Sequence, residues 1–229
     1  MIKCFEEKSK SLKSDGYLVV DNFLDKESIN QLAKDVTELD YTPFISEDPK
    51  MRKKIVNQNL GDYFIWSLET GEKLYLKSKT LPMGTPVKNY PDTIFPIISL
   101  YQDKIMELLE RQGYPVHKIT RLASVPCMWP EGSSLDWHND GRWDLGLTLY
   151  VTPNWSQECG GELMTKKGKC IEGGDWIFPE LNRFFCVLGK KVKHKVNPIM
   201  KGCPPRYTIQ TYCSIEDGNY HGFKDGKIV

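Results

Sequence analysis

The chain is 229 residues long with a formal net charge of +1, so nothing in its charge draws it to nucleic acid or to an anionic membrane. No apolar run approaches the roughly 18 residues of a membrane span, and the opening MIKCFEEKSKSLKSDG lacks the apolar core of a secretory leader, so a cytoplasmic location is expected. With 40% hydrophobic residues the chain can bury a core, and its length suits one domain over residues 1–229.

Asp15-Gly16 reads as a turn and Tyr17–Val20 as a short strand. Asp25 is the expected N-cap of a helix running to Leu39, with Ile29, Leu32, Ala33, Val36 and Leu39 at helical spacing. Residues 40–60 read as irregular, and their basic cluster Lys50, Arg52, Lys53 and Lys54 as a solvated loop. Tyr63–Leu68 and Lys73–Leu76 predict a hairpin. Three prolines and a glycine make Leu81–Pro91 a loop. Asp92–Arg111 predicts a second helix closed by Gly113, its core stripe being Ile94, Ile97, Ile98, Tyr101, Ile105, Leu108 and Leu109. From Ile119 onward come short strands with turns about every 8–12 residues, the pattern of a sandwich or jelly roll. The expected parts are a strand and helices over 1–115, a β core over 116–215 and a tail over 216–229. Seven cysteines form no Cys-x-x-Cys pair, so scattered reduced thiols are expected rather than a zinc knuckle or disulfide framework.

The stretch that carries chemistry is Trp137-His138-Asn139-Asp140-Gly141. It lies between Ser134-Leu135-Asp136 and the alternating Leu145, Leu147 and Leu149, a strand–turn–strand context. On a strand, residues two apart point the same way, so His138 and Asp140 can offer a nitrogen and an oxygen to one ion. A His-x-Asp pair also occurs in many turns without a metal. In Lys191–Val196 the lysines alternate with Val192, His194 and Val196, which turns His194 inward, either as a third ligand or as a satisfied core histidine. His117 and His221 read as surface residues. Arg206 and Thr208 share one strand face and together suit a carboxylate.

In this order, His138-x-Asp140, His194 and Arg206-x-Thr208 resemble the Fe(II)/2-oxoglutarate-dependent dioxygenases. Leu149–Trp155, Gly160-Gly161-Glu162-Leu163 and Pro179–Phe185 are similar to that family's LYLN..W, GGEL and P..NR..F segments. The branch it most resembles is the prolyl 4-hydroxylase-like group, over residues 120–215 and more loosely Gly16–Leu24. The resemblance implies a mainly β (α+β) fold, a double-stranded β-helix or jelly roll braced by the N-terminal helices. It implies Fe(II) held by His138, Asp140 and His194, the facial triad of non-haem oxygenases. It places the far carboxylate of 2-oxoglutarate on Arg206, Thr208 and Tyr150, with Leu163 along the methylenes. The implied reaction uses O₂ to convert 2-oxoglutarate to succinate and CO₂ while hydroxylating an unactivated C–H, with ascorbate supportive. A peptidyl proline is the first substrate expected, and a free amino acid or other small molecule the alternative. A zinc-dependent hydrolase on the same three ligands and a non-catalytic jelly-roll binding protein are more distant readings. Two positions depart from the branch: Trp129 stands where a tyrosine precedes Pro-x-Gly, and Tyr212 where relatives often carry tryptophan. Both are expected to border the substrate.

Overall fold

The computed structural model describes residues 11–46, 48–68, 71, 73–76, 91–166, 175–216, 223–224 and 227–228. Its first elements are α1 (Ser11–Ser14), β1 (Tyr17–Val20), α2 (Lys26–Thr37), β2 (Thr42–Pro43), α3 (Pro49–Arg52), β3 (Ile55–Val56), β4 (Asn59–Leu60), β5 (Tyr63–Ser67), β6 (Lys73–Leu76) and α4 (Ile94–Arg111). Then follow β7 (Ile119–Trp129), β8 (Ser134–His138), β9 (Leu145–Tyr150), β10 (Leu163–Thr165), β11 (Trp176–Ile177), β12 (Phe184–Leu188), β13 (His194–Val196) and β14 (Arg206–Ile215). A two-residue ladder of β15 (Phe223–Lys224) and β16 (Lys227–Ile228) lies in the segment expected to be a tail.

Two antiparallel sheets form the jelly roll. The larger has the order β1-β12-β9-β14-β7-β4-β2, with the β5–β6 hairpin also on β7. The smaller has the order β11-β10-β13-β8-β3. Between them lie two apolar clusters, one of Tyr150, Leu163, Ile177 and Phe185 and one of Val125, Trp129, Leu135 and Val196. The larger sheet is covered on its other face too. Leu145, Leu147, Leu149, Phe184, Cys186 and Ile209 point outward to Leu32 and Val36 of α2 and to Ile98, Tyr101 and Ile105 of α4. A stacked Phe23–Phe184 pair, 4.2 Å between ring centroids, ties the α2 approach to β12. No described helix is long and apolar enough to cross a membrane.

The helices form for the reasons their sequences suggest. The Asp25 carboxylate accepts from the Ser28 N–H at 2.8 Å, and Ile29, Leu32, Ala33 and Val36 make one buried stripe. Helix α2 stops at Thr37, two residues early, where the threonine hydroxyl donates to the Lys34 carbonyl at 2.7 Å. Helix α4 begins at Ile94 and is followed by Gly113 at φ 73°, the left-handed stop that glycine provides.

Three expectations are revised. Residues 40–60 are not irregular: β2 and β4 extend the larger sheet beside β7, and β3 edges the smaller one beside β8. Two-residue strands carry no period of their own, so only their partners define them. The reduced-thiol reading fails at one pair, because Cys159 and Cys203 are disulfide-bonded with Cα atoms 5.5 Å apart. The fold brings the turn before β10 against the approach to β14, and no sequence motif announces that. Cys127, Cys186 and Cys213 are free and buried. The expected loop Leu81–Pro91 lies, apart from Pro91, outside the described residues, as do Cys4, Cys170 and His221.

Candidate active site

Strand β8 ends at His138, so Asp140 sits in the following turn and not on a strand. The two side chains therefore meet through the turn, not through the pleat. What brings His194 to them is register: His138 pairs with His194 across β8 and β13, with ring centroids 4.2 Å apart. The same ladder pairs Leu135 with Val196, so three steps on β8 match two on β13. That bulge keeps both Leu135 and His138 pointing inward. Asp140 lies between the two rings, its Oδ1 3.7 Å from His138 Nε2 and its Oδ2 3.7 Å from His194 Nε2. One ligand atom from each residue falls within 4.8 Å of the others, a group that could hold a metal ion.

The backbone sets which nitrogen faces that point. His138 Nδ1 donates to the Asp136 carbonyl at 2.9 Å and His194 Nδ1 to the Val192 carbonyl at 3.3 Å. A carbonyl can only accept, so each Nδ1 carries the proton and each Nε2 keeps a lone pair toward Asp140. Burial draws both imidazoles down to about 4. The neighbouring His194 and Lys54 add to the effect on His138, against Asp140. Burial raises the Asp140 carboxyl against the opposing pull of His138.

Asp140 has room because residue 146 is glycine. A Cβ there would fall 2.1 Å from Asp140 Oδ2. A glycine inside a strand marks a close approach, and Gly146 interrupts the Leu145, Leu147 and Leu149 run without a packing reason of its own. That was the legible signal for a residue the sequence reading passed over.

About the second group of expected residues the structure is specific. Arg206 and Thr208 both face inward from β14, and Thr208 pairs with Tyr150 on β9. The Arg206 side chain is 1% exposed. Its guanidinium lies over the rings of Trp129, at 4.8 Å, and Tyr150, at 5.7 Å. Nη1 donates to the Gly161 carbonyl at 2.6 Å, and Nε has no partner among the described residues. No carboxylate among the described residues pairs with it. Gly160 and Gly161, at φ 67° and 70°, turn the chain so that this carbonyl reaches the arginine. The Tyr150 hydroxyl is likewise buried with no partner. Leu163 packs beside Tyr150 and Phe185. The outcome is a buried cation and an idle hydroxyl beside the apolar cluster of Leu163 and Phe185, with two imidazoles and a carboxylate brought together by β8 and β13. A carboxylate would satisfy the cation there; left alone, a buried unpaired charge costs several kcal/mol.

Two residues enter this site that the sequence reading did not place there. Trp129, expected at the substrate side, is fully buried beneath Arg206 and donates to Thr208 Oγ1 at 3.4 Å, so it belongs to the anion end. Thr165 pairs with His194 across β10 and β13, and its buried hydroxyl has no partner. Alternation from Leu163 along the strand would have found it. Tyr212 stacks on Trp143 at 5.2 Å between centroids, and Asp140 is among the charges that act on its hydroxyl. His117 is exposed and remote from the group.

By sequence, residues 123–214 match the 2OG-Fe(II) oxygenase superfamily. Over these residues the chain is thus similar to the oxygenases of that superfamily, and Fe(II), 2-oxoglutarate and O₂ are the reactants that family implies. Among solved structures its fold is similar to a Pseudomonas putida prolyl-4-hydroxylase, at 13% identity over 91% of this chain and 97% of that one, TM-score 0.64. It is also similar to a Trichoplax adhaerens prolyl hydroxylase in complex with a hypoxia inducible factor oxygen degradation domain peptide fragment, at 16% identity over 94% and 90%, TM-score 0.67. A viral collagen prolyl hydroxylase from Paramecium Bursaria Chlorella virus-1, in complex with 2OG, shares 13% identity over 89% and 98%, TM-score 0.55. No curated protein matches the chain by sequence.

Proposed function

We propose that the chain hydroxylates a peptidyl residue, most simply proline, with Fe(II) on His138, Asp140 and His194 and 2-oxoglutarate on Arg206, Thr208, Tyr150 and Leu163. The observation that carries the reading is the buried Arg206, without a carboxylate among the described residues, beside an unpartnered Tyr150 hydroxyl. Such a pair fits the far carboxylate of a keto diacid, as a guanidinium fork and a hydroxyl each donate to it. Leu163 and Phe185 supply an apolar wall for methylenes. The Thr165 hydroxyl, next to His194, is available to donate at the metal-facing end of the co-substrate. Two Nε2 lone pairs and one carboxylate would hold the ion with three ligands, few enough to leave room for the co-substrate. Bound iron supplies the oxidation, coupling decarboxylation of 2-oxoglutarate to hydroxylation of a C–H bond. The residues of the chain orient both reactants and keep water out: the anion end is sealed by Trp129, Tyr150 and Arg206, each no more than 1% exposed. A peptide substrate is supported by the likeness to the Trichoplax hydroxylase, which holds a peptide.

The test is succinate release with Fe(II), 2-oxoglutarate and ascorbate, comparing proline-containing peptides with free amino acids. Peptide-dependent release is expected, and release with free amino acids alone would replace the peptide by a small molecule. Asp140→Ala is expected to abolish turnover and weaken Fe(II) binding while leaving the far-ultraviolet circular dichroism unchanged. Near-normal turnover by that variant would remove the ligand assignment. Restoration of activity to stripped protein by zinc alone would favour the hydrolase reading.

A further inference from the structure

The β8 bulge that turns His138 inward has a second effect. Trp137, next to it, is partly exposed, and lysines from three separate segments gather on it. Lys166, just after β10, has its Nζ 5.1 Å from the ring centroid, and Lys195 of β13 has its own at 5.4 Å. Lys54, just before β3, donates to the Trp137 carbonyl at 3.1 Å. The nearest acid in sequence, Asp136, accepts from the Trp137 N–H at 2.7 Å. None of the three lysines makes an ion pair with a described residue. Lys191 and Lys193 add exposed charge beside Lys195 on the same strand approach. Like charges drawn together without a counter-charge repel; cation–π contacts with the indole hold Lys166 and Lys195 there, and the Trp137 carbonyl holds Lys54. Part of the basic cluster at 50–54 is thus not a merely solvated loop, because its last member is built into the wall of the site.

We propose that Lys54, Lys166 and Lys195, gathered on Trp137, form a docking surface for an acidic stretch of the polypeptide substrate, close to the residue that reacts. The proposal rests on the peptide-hydroxylase reading above and names the class of peptide. An ammonium group is a compact point charge with three donors, suited to exposed carboxylates approached from varied directions. A nucleic acid fits less well. Its bases need a free aromatic face to stack on, whereas ammonium groups lie over this ring, and the chain as a whole has a charge of only +1.

The experiment uses the full chain with Fe(II) and 2-oxoglutarate under anaerobic conditions. Fluorescence anisotropy compares a labelled proline-containing peptide flanked by four Glu, the same peptide with four Gln, and an oligothymidylate of equal charge. The Glu peptide is expected to bind at least tenfold more tightly than the Gln peptide at low salt, with the advantage lost in 0.5 M salt. Lys54→Gln/Lys166→Gln/Lys195→Gln should remove that preference. As a control against loss of fold, Lys166→Glu/Lys195→Glu should reverse it, favouring a peptide flanked by four Lys. Equal binding of the Glu and Gln peptides, or a preference that survives the triple substitution, overturns the docking surface. Tighter binding of oligothymidylate overturns it in favour of nucleic acid. Succinate release separates this from the parent reading. A Glu peptide that binds as described without turnover upholds the surface and sinks the peptide-hydroxylase reading. Equal turnover and equal binding of Glu and Gln peptides uphold the enzyme and sink the surface.

Discussion

At the scale of single residues, the site is a set of polar groups whose needs are unmet by the protein itself. Arg206 has two aromatic rings and one carbonyl, and Glu162 acts on it electrostatically, yet no described carboxylate forms an ion pair with it. Removing it should cost the co-substrate roughly 3–5 kcal/mol, or about 10²–10⁴ in affinity, since its carboxylate would then be buried unpaired. Tyr150→Phe should cost about 1–2 kcal/mol, the worth of one hydrogen bond to a charged partner. Anaerobic titration of 2-oxoglutarate against the visible charge-transfer band of the iron complex measures both. Iron binding should survive in each variant, and an Arg206→Ala protein with wild-type co-substrate affinity would refute the pocket. These residues were legible because their chemistry is unusual in position: an arginine and a threonine sharing an inward strand face announce an anion. Thr165 was less legible, since a lone threonine in a short strand has many ordinary uses. Only its buried, partnerless hydroxyl sets it apart.

At the scale of elements, the site depends on close approaches that side-chain chemistry does not reveal. Gly146 in β9 leaves the space that the Asp140 carboxylate fills. Gly146→Ala is therefore expected to push the carboxylate away and to weaken Fe(II) binding at least tenfold, while β9 keeps its ladder and the melting temperature moves by only a few degrees. Metal titration and thermal melts read the two effects separately; unchanged iron affinity would show that Asp140 has another way to fit. The disulfide acts at the same scale. It joins Cys159, two residues before Gly161, to Cys203, three before Arg206, and so fixes the two segments that meet at the Arg206–Gly161 hydrogen bond. For a cross-link spanning 44 residues the chain-entropy account gives at most about 4 kcal/mol. Cys203→Ser should lower the denaturant midpoint accordingly, and dithiothreitol should lower that of the wild type but not of the variant. An equal effect of the reductant on both would show that the bond contributes nothing. Helices α2 and α4, strand β1 and the β5–β6 hairpin were readable from spacing and caps. The two-residue strands β2, β3 and β4 were not, because each is defined by a neighbour far away in sequence.

For the whole molecule, the larger sheet is buried on both faces, by helices outside and by the smaller sheet inside, and the candidate site occupies the inner layer. That burial has a consequence for stability. His138 and His194, both drawn down to about 4, stay neutral in the folded chain where unfolded imidazoles near 6.5 gain protons. Between those values the unfolded state binds more protons, so stability is full above pH 6.5 and falls as pH drops toward 4. Asp140, raised by burial, works in the opposite direction at the acidic end, but two imidazoles outnumber it. The melting temperature of metal-free protein should fall from pH 7 to pH 5, and less steeply in His138→Asn/His194→Asn; equal slopes would assign the loss to other groups. The sequence by itself determined a core of short strands, the bracing helices and five residues to look for, His138, Asp140, His194, Arg206 and Thr208, while the resemblance added Tyr150 and Leu163. Inward alternation around His194, an arginine–threonine face and ordered motifs are local properties of the chain, and local patterns survive without coordinates. Only the tertiary structure decided that Asp140 meets the histidines through a turn, that Trp129 lies under Arg206, and that Cys159 bonds Cys203. It alone also gathered Lys166 and Lys195 over the Trp137 indole and Lys54 on the Trp137 carbonyl. Each of these depends on register between strands or on space left by a glycine, and such distances arise only when segments remote in sequence pack together.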